Sequence, residues 1–160
     1  MLPRQSLHLG LVVAEAGRVV WPLLQRRRQQ VSLELPLRLP AVDGDESRLI
    51  QVLVNLLTNA AKYSPAGALI DVAVCDEGAA VLVTVADRGP GIPPAQRDRL
   101  FDRFVRLDDA TGDESGMGLG LFVAKCAIEA HGGQIGQEAR PGGGAIFWFR
   151  LPRAASEVAP

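Results

Sequence analysis

Gly116, Gly118 and Gly120 stand at every second position of "ESGMGLGLFVAK" (114–125), directly ahead of a run with helical periodicity. Glycine lets a backbone approach a ligand closely, and the unpaired N–H groups of a first helical turn attract anions, so the chemistry suggested is phosphate binding. A flexible loop that happens to precede a helix would show the same residues, and the choice falls to other positions. With about 100° of rotation per residue, Gln51, Asn55, Asn59 and Lys62 fall in one narrow stripe bordering an apolar helix face. Asn is a mediocre helix former, so Asn55 and Asn59 one turn apart call for either solvent or a ligand. As a site, their carbonyl oxygens suit Mg²⁺, and Lys62 suits a phosphate. Asp87 ends the row Val81, Val83, Val85, which shares one face of a strand by the period of two. A carboxylate at the end of a buried row needs donors: an N-terminal cap, an ion pair with Arg88, or the amino group of an adenine, for which Gly89-Pro90-Gly91 leaves room.

Other nucleotide motifs are excluded. The glycine entrance lacks the Lys-Ser/Thr of a Walker A loop, and a Rossmann G-x-G-x-x-G fails because its last glycine is replaced by Leu121 and no strand comes before it. The H-R-D and D-F-G signatures of protein kinases are missing from the sequence.

The elements that must position these groups can be read from periodicity. Leu9, Val12, Val13, Ala16, Val19, Val20, Leu23 and Leu24 mark a first helix, and "VSLEL" (31–35) a strand with Val31, Leu33 and Leu35 on one face, closed by Pro36 and Pro40. A second helix, N-capped by Asp45, carries Leu49, Val52, Leu53, Leu56, Leu57 and Ala60 until Ser64-Pro65-Ala66-Gly67 breaks it. "ALIDVAVC" (68–75) and "AAVLVTVAD" (79–87) flank Asp76-Glu77-Gly78 as an antiparallel hairpin. Residues 88–115 dissolve into Gly, Pro, Asp and Arg around "RLFDRFVRL", a length of irregular chain that marks function or mobility. A third helix over 119–130 ends at His131-Gly132-Gly133, and strands "QIGQEAR" and "AIFWFRL" follow, joined by Pro141-Gly142-Gly143-Gly144. The expected fold is an α/β two-layer sandwich, its mixed sheet covered on one face by about three helices.

At 160 residues, with 48% of them hydrophobic, the chain has enough apolar side chains for one core. Its net charge is -1, and Arg26-Arg27-Arg28 is the only basic run, which suits a solvated helix C-terminus and argues against nucleic-acid binding. Cys75 and Cys126 lie in apolar segments without metal-ligand spacing, as expected of buried, unpaired thiols in a reducing, cytoplasmic compartment. The N-terminal segment loosely imitates a signal peptide, with Ala14-Glu15-Ala16 as a cleavage site, but His8 interrupts it and the helical period continues through it. No apolar run reaches the length of a membrane span, so no direct membrane contact is expected of this chain, even if a parent protein is anchored.

Taken in order, "NLLTNAAKYSP" (55–65), "DRGPGIP" (87–93), "FDRF" (101–104) and "GMGLGL" (116–121) resemble the N, G1, F and G2 boxes of bacterial sensor histidine kinases. The resemblance runs through "AHGGQI" and "GGGAIFWFRLP" and covers nearly the whole chain, about 1–153, with 154–160 as a tail. It implies the Bergerat fold of the GHKL ATPases, and ATP and Mg²⁺ as cofactors. By position, Asn59 would coordinate the metal and Asn55 would support metal and phosphates. Lys62 would line the phosphate side and Tyr63 the adenine side. Asp87 would accept the adenine amino group, Gly89 and Gly91 would frame the base, and Ile92 would pack on it. Gly116, Met117, Gly118, Leu119, Gly120 and Leu121 would surround the phosphates. Residues 93–115 would form an ATP lid docked by Phe101 and Phe104, with Arg103 or Arg106 reaching the phosphates.

The phosphoacceptor histidine of these kinases is followed by an acidic residue on a dimerisation hairpin. His8 is followed by Leu9-Gly10 and His131 sits at a helix end, so neither matches. The resemblance therefore implies a catalytic domain that donates the ATP γ-phosphoryl group to a histidine on a dimerisation domain, for onward transfer to a response regulator. The rivals are a GHKL enzyme that hydrolyses ATP or phosphorylates serine, and a nucleotide-binding regulatory module. The hydrolysing relatives usually carry Glu at the position of Asn55, and an amide cannot take a proton near neutral pH as a Glu can.

Overall fold

A computed structural model of the chain describes residues 5–97, 99–102 and 120–154. Strand β1 (Gln5–Leu7) leads into helix α1 (Leu9–Arg26), followed by β2 (Gln30–Glu34) and β3 (Val42–Gly44). Helix α2 (Glu46–Tyr63) precedes the hairpin β4 (Leu69–Asp76) and β5 (Ala80–Ala86). The short α3 (Pro94–Arg97), then α4 (Gly120–Ala130), β6 (Gln134–Ala139) and β7 (Ala145–Pro152) complete the order.

Five strands form one sheet in the order β2-β4-β5-β7-β6, with β2 parallel to β4 and every other pairing antiparallel. The inward residues of alternate positions, Ile70, Val72 and Val74 of β4, Val81, Val83 and Val85 of β5, and Phe147, Phe149 and Leu151 of β7, are all buried. Helix α2 packs between α1 and α4. Its buried stripe of Leu49, Val52, Leu53, Leu56, Leu57 and Ala60 matches the helical period, so the sandwich expected of the sequence forms with α1, α2 and α4 as its helical layer.

Boundaries follow local chemistry. Asp45 caps α2 as expected, its Oδ1 accepting the Arg48 N–H at 3.4 Å. The far end of α2 is closed by the buried Gln29, whose Nε2 donates to the Ala61 carbonyl at 2.9 Å and to that of Ser64 at 3.2 Å. Arg27 also donates to Ser64 O at 3.1 Å. The arginine run therefore serves the end of α2 as well as that of its own helix.

Three expectations differ from the structure. Leu33 and Leu35 are 44% and 40% exposed, because β2 is an edge strand and only Val31 reaches the core. Val19, 51% exposed, falls outside the α1 face that meets α2. Cys75 and Cys126 are exposed free thiols rather than buried ones: Cys75 alternates with the inward Val74, and Cys126 stands beside the buried Ala127 on α4. The small β1-β3 sheet had no periodic signal, since three-residue strands are too short to show one.

Candidate functional site

Asp87 follows the last residue of β5 and is 4% exposed. Its Oδ1 accepts the backbone N–H of Gly89 and that of Ala145, both at 3.0 Å. Burial pushes the Asp87 carboxyl above its ordinary value, while those two bonds and the field of Arg140 pull it back. The alternative of an ion pair with Arg88 is not what the chain adopts. The Arg88 guanidinium lies 3.0 Å from Asp71 and also bonds the Leu69 carbonyl, and the Arg88 N–H donates to Ser64 Oγ at 3.0 Å. Asp87 is thus a buried carboxylate oriented by two backbone donors, both spent on one of its oxygens.

A cavity of about 350 Å³ opens beside it. Ile92, Phe147 and the ring of Tyr63 supply apolar lining, and among the described residues Asp87, Tyr63 and Gln96 are those of the lining with polar side-chain atoms. Phe147 packs on Phe101 in a T-shaped pair, with ring centroids 6.2 Å apart at 79°. Gly91 also lines the cavity at φ 82°, a conformation that costs a residue with a Cβ. Gly89 is required for a different reason, since a Cβ there would overlap the carbonyl oxygen of Tyr63.

On α2, the stripe is assembled as the helical period requires. Gln51 Nε2 donates to Asn55 Oδ1 at 2.9 Å, and Asn55 Nδ2 donates to the Gly120 carbonyl at 3.1 Å, tying α2 to the first residue of α4. Asn59 Nδ2 is buried and makes no hydrogen bond among the described residues. Lys62 Nζ lies 5.5 Å from the centroid of the Tyr63 ring. Leu121 packs against the core. Arg103, Phe104, Arg106, Gly116, Met117, Gly118 and Leu119 lie outside the described residues.

The sequence reading did not single out Ala145, Gly144, Phe147 or Gln96. Phe147 was open to it, as the middle residue of the alternating "AIFWF". Ala145 acts through its backbone N–H, to which side-chain patterns are blind. Gly144 is needed at φ 106° because a Cβ would meet the backbone of Asp87, a contact across the sheet. Gln96 sits in aperiodic sequence with no local signal.

A two-layer sandwich with a buried carboxylate at a strand end, an apolar cavity beside it and a carboxamide stripe on the central helix defines a nucleotide-binding ATPase domain. The sequence pattern of the "Histidine kinase-, DNA gyrase B-, and HSP90-like ATPase" family matches residues 44–155, and the chain belongs to that family. Adaptive-response sensory kinase SasA of Thermosynechococcus vestitus is 44% identical over 129 residues, 80% of this chain and 34% of that protein. The catalytic domain of histidine kinase ThkA superposes with a TM-score of 0.85 at 27% identity, covering 96% of this chain and 97% of that one. The same kinase in complex with response regulator protein TrrA superposes at 0.82 and 25% identity, over 98% and 43%. Full-length ShkA in complex with AMPPNP gives 0.82 at 30% identity, over 96% and 32%. The fold is that of histidine kinase catalytic domains, the Bergerat fold. The chain spans about a third of the length of the curated relatives it matches.

Proposed function

We propose that this chain binds ATP with its adenine in the cavity beside Asp87, and transfers the γ-phosphoryl group to a histidine on a dimerisation domain, for onward transfer to a response regulator at the cytoplasmic face. The observation that carries this reading is Asp87 itself. A buried carboxylate is costly, and one whose two backbone donors crowd a single oxygen keeps acceptor capacity for a ligand N–H at the mouth of an apolar, ring-sized cavity.

Mg²⁺ fits the residues present. Among the described residues no cluster of three or more His, Cys, Asp or Glu could hold a metal ion. A metal here therefore takes few protein ligands, as Mg²⁺ does when it keeps its waters and binds substrate phosphates. Asn59 would supply the carboxamide oxygen, and its buried Nδ2, unpaired among the described residues, would meet a phosphate oxygen. An ion held there would supply positive charge to offset that of the phosphates. Lys62 adds positive charge at the phosphate end, and Asn55 positions the entrance of α4 through Gly120.

In the transfer, the acceptor imidazole nitrogen forms a bond to the γ-phosphorus as the bond to the β,γ-bridging oxygen breaks. ADP leaves, and the imidazole proton is released to solvent. An imidazole carries its own nucleophilic lone pair, so no general base is needed from α2, and the amide of Asn55 suits this better than hydrolysis. The rival reading, a domain that hydrolyses ATP or only binds it to regulate a partner, requires a different base or none.

The test is phosphoryl transfer from γ-labelled ATP. Alone, the chain should bind ATP, hydrolyse it slowly and remain unlabelled on His8 and His131. Adding the dimerisation domain of the same parent protein should give acid-labile histidine label. Rapid turnover by the chain alone would replace this reading with the ATPase.

A further inference from the structure

Gln96 stands at the third position of α3 and lines the cavity together with Asp87. Its backbone is held from both sides, its N–H donating to the Pro93 carbonyl at 2.9 Å and its carbonyl accepting from Arg99 N–H at 3.1 Å. Pro93 and Pro94 fix φ three and two residues before it. Four and five residues after it, the buried Leu100 and Phe101, which packs against the core, anchor the segment. The position of Gln96 is therefore set before any ligand arrives.

The side chain is not satisfied there. Oε1 is buried and has no hydrogen-bond partner among the described residues. An unpaired buried carbonyl oxygen forfeits the hydrogen bonds it makes in water, and native chains rarely tolerate one without a use for it. The terminal torsion of a glutamine is broad, so turning Oε1 toward the cavity meets little resistance. Asp87 lines the same cavity and can accept one N–H of an exocyclic amine, and such an amine has two.

We propose that Gln96 is a second reader of the nucleotide base, its Oε1 accepting the amine N–H that Asp87 leaves free, so that the adenine amine is held between the two side chains. The inference rests on the adenine reading above and extends it to selectivity. A purine base without the amine forfeits the bonds to both side chains, so the pair selects for the amine.

Calorimetry separates the possibilities, using ATP and purine riboside triphosphate, which lacks the exocyclic amine, on the wild-type chain, Gln96→Leu and Gln96→Glu. Wild type should favour ATP. In Gln96→Leu that preference should shrink by about fivefold, the worth of one hydrogen bond. Gln96→Glu keeps an acceptor and should hold the preference at or above the wild-type value. An undiminished preference in Gln96→Leu overturns the role of Gln96 while leaving Asp87 in place, and so does a diminished one in Gln96→Glu. Absence of ATP binding by the wild-type chain overturns the adenine reading and this inference with it.

Discussion

The imidazole of His131 accepts the backbone N–H of Asp45 on Nε2 at 3.0 Å, joining the end of α4 to the N-cap of α2. Its Nδ1 lies 2.6 Å from the Ala127 carbonyl, which can only accept, so Nδ1 carries the proton and the ring is one defined neutral tautomer. Both nitrogens are spent, and the residue is 1% exposed. The ring thereby fixes the two helices that carry the carboxamide stripe and the entrance of α4.

His131→Ala should lower the unfolding free energy by about 2–4 kcal/mol, combining a cavity with an unpaired Asp45 N–H. Urea denaturation checks it, and a loss below about 1 kcal/mol would show that the bridge is dispensable.

Asp87→Asn should leave the fold intact, because the amide oxygen still accepts from Gly89 and Ala145, and should severely weaken ATP and ADP binding through loss of the charge that strengthens the bond to the base. The variant should also change the pH dependence of stability. Burial raises the folded pKa of Asp87 above its ordinary carboxylate value, so the folded state holds its proton more tightly than the unfolded one. Its contribution to stability is full below the unfolded pKa and is lost as pH rises through the folded one. Nucleotide-free Asp87→Asn lacks that decline and should gain on wild type as pH rises from the acid side toward neutrality. Parallel stability curves for the two proteins would remove the burial cost from the account.

Two glycines offer a steric test. A Cβ on Gly89 overlaps the Tyr63 carbonyl oxygen, and one on Gly144 overlaps the backbone of Asp87. Neither obstacle is a side-chain end that can swing away, so Gly89→Ala and Gly144→Ala should each cost about 1–3 kcal/mol in urea melts and weaken ATP binding together with stability. Gly78→Ala meets no atom within 4 Å and serves as the control for strain at positive φ alone, with ATP affinity unchanged.

What the sequence disclosed depended on period and chemistry. The α2 stripe was legible because its apolar set repeats over a full helix, and Asp87 was legible because a carboxylate contradicts the row it ends. The donors that hold Asp87 were not, since Ala145 acts through its main chain 58 residues away. Leu33 looked buried because alternation records which residues share a face, and it cannot say whether anything covers that face. Cys75 misled for the same reason, standing on the outer face of a strand whose inner face is core.

Asn59 supplies the sharpest test of the metal assignment. Its carboxamide lies one helical turn beyond Asn55, yet the two differ in state. Asn55 is committed on both ends, to Gln51 and to Gly120, whereas Asn59 Nδ2 is buried without a partner among the described residues. Asn55 is thus held as part of the framework, and on the reading proposed above Asn59 serves the metal and phosphates. Removing a lone neutral protein ligand should damage metal-dependent steps selectively, because in-line phosphoryl transfer relies mainly on positioning and charge neutralisation. Asn59→Ala should therefore cut histidine phosphorylation of an added dimerisation domain by about a hundredfold or more, and raise the Mg²⁺ concentration needed for half-maximal ATP binding. Its affinity for ATP in the presence of a chelator should fall by no more than about fivefold, the worth of one hydrogen bond to a phosphate, since the base cavity beside Asp87 is untouched. Asn55→Ala should instead lower stability as well as transfer, through the lost link to Gly120. Equal Mg²⁺ requirements in wild type and Asn59→Ala, measured by titrating the metal against a fluorescent ATP analogue, would move the metal to other ligands.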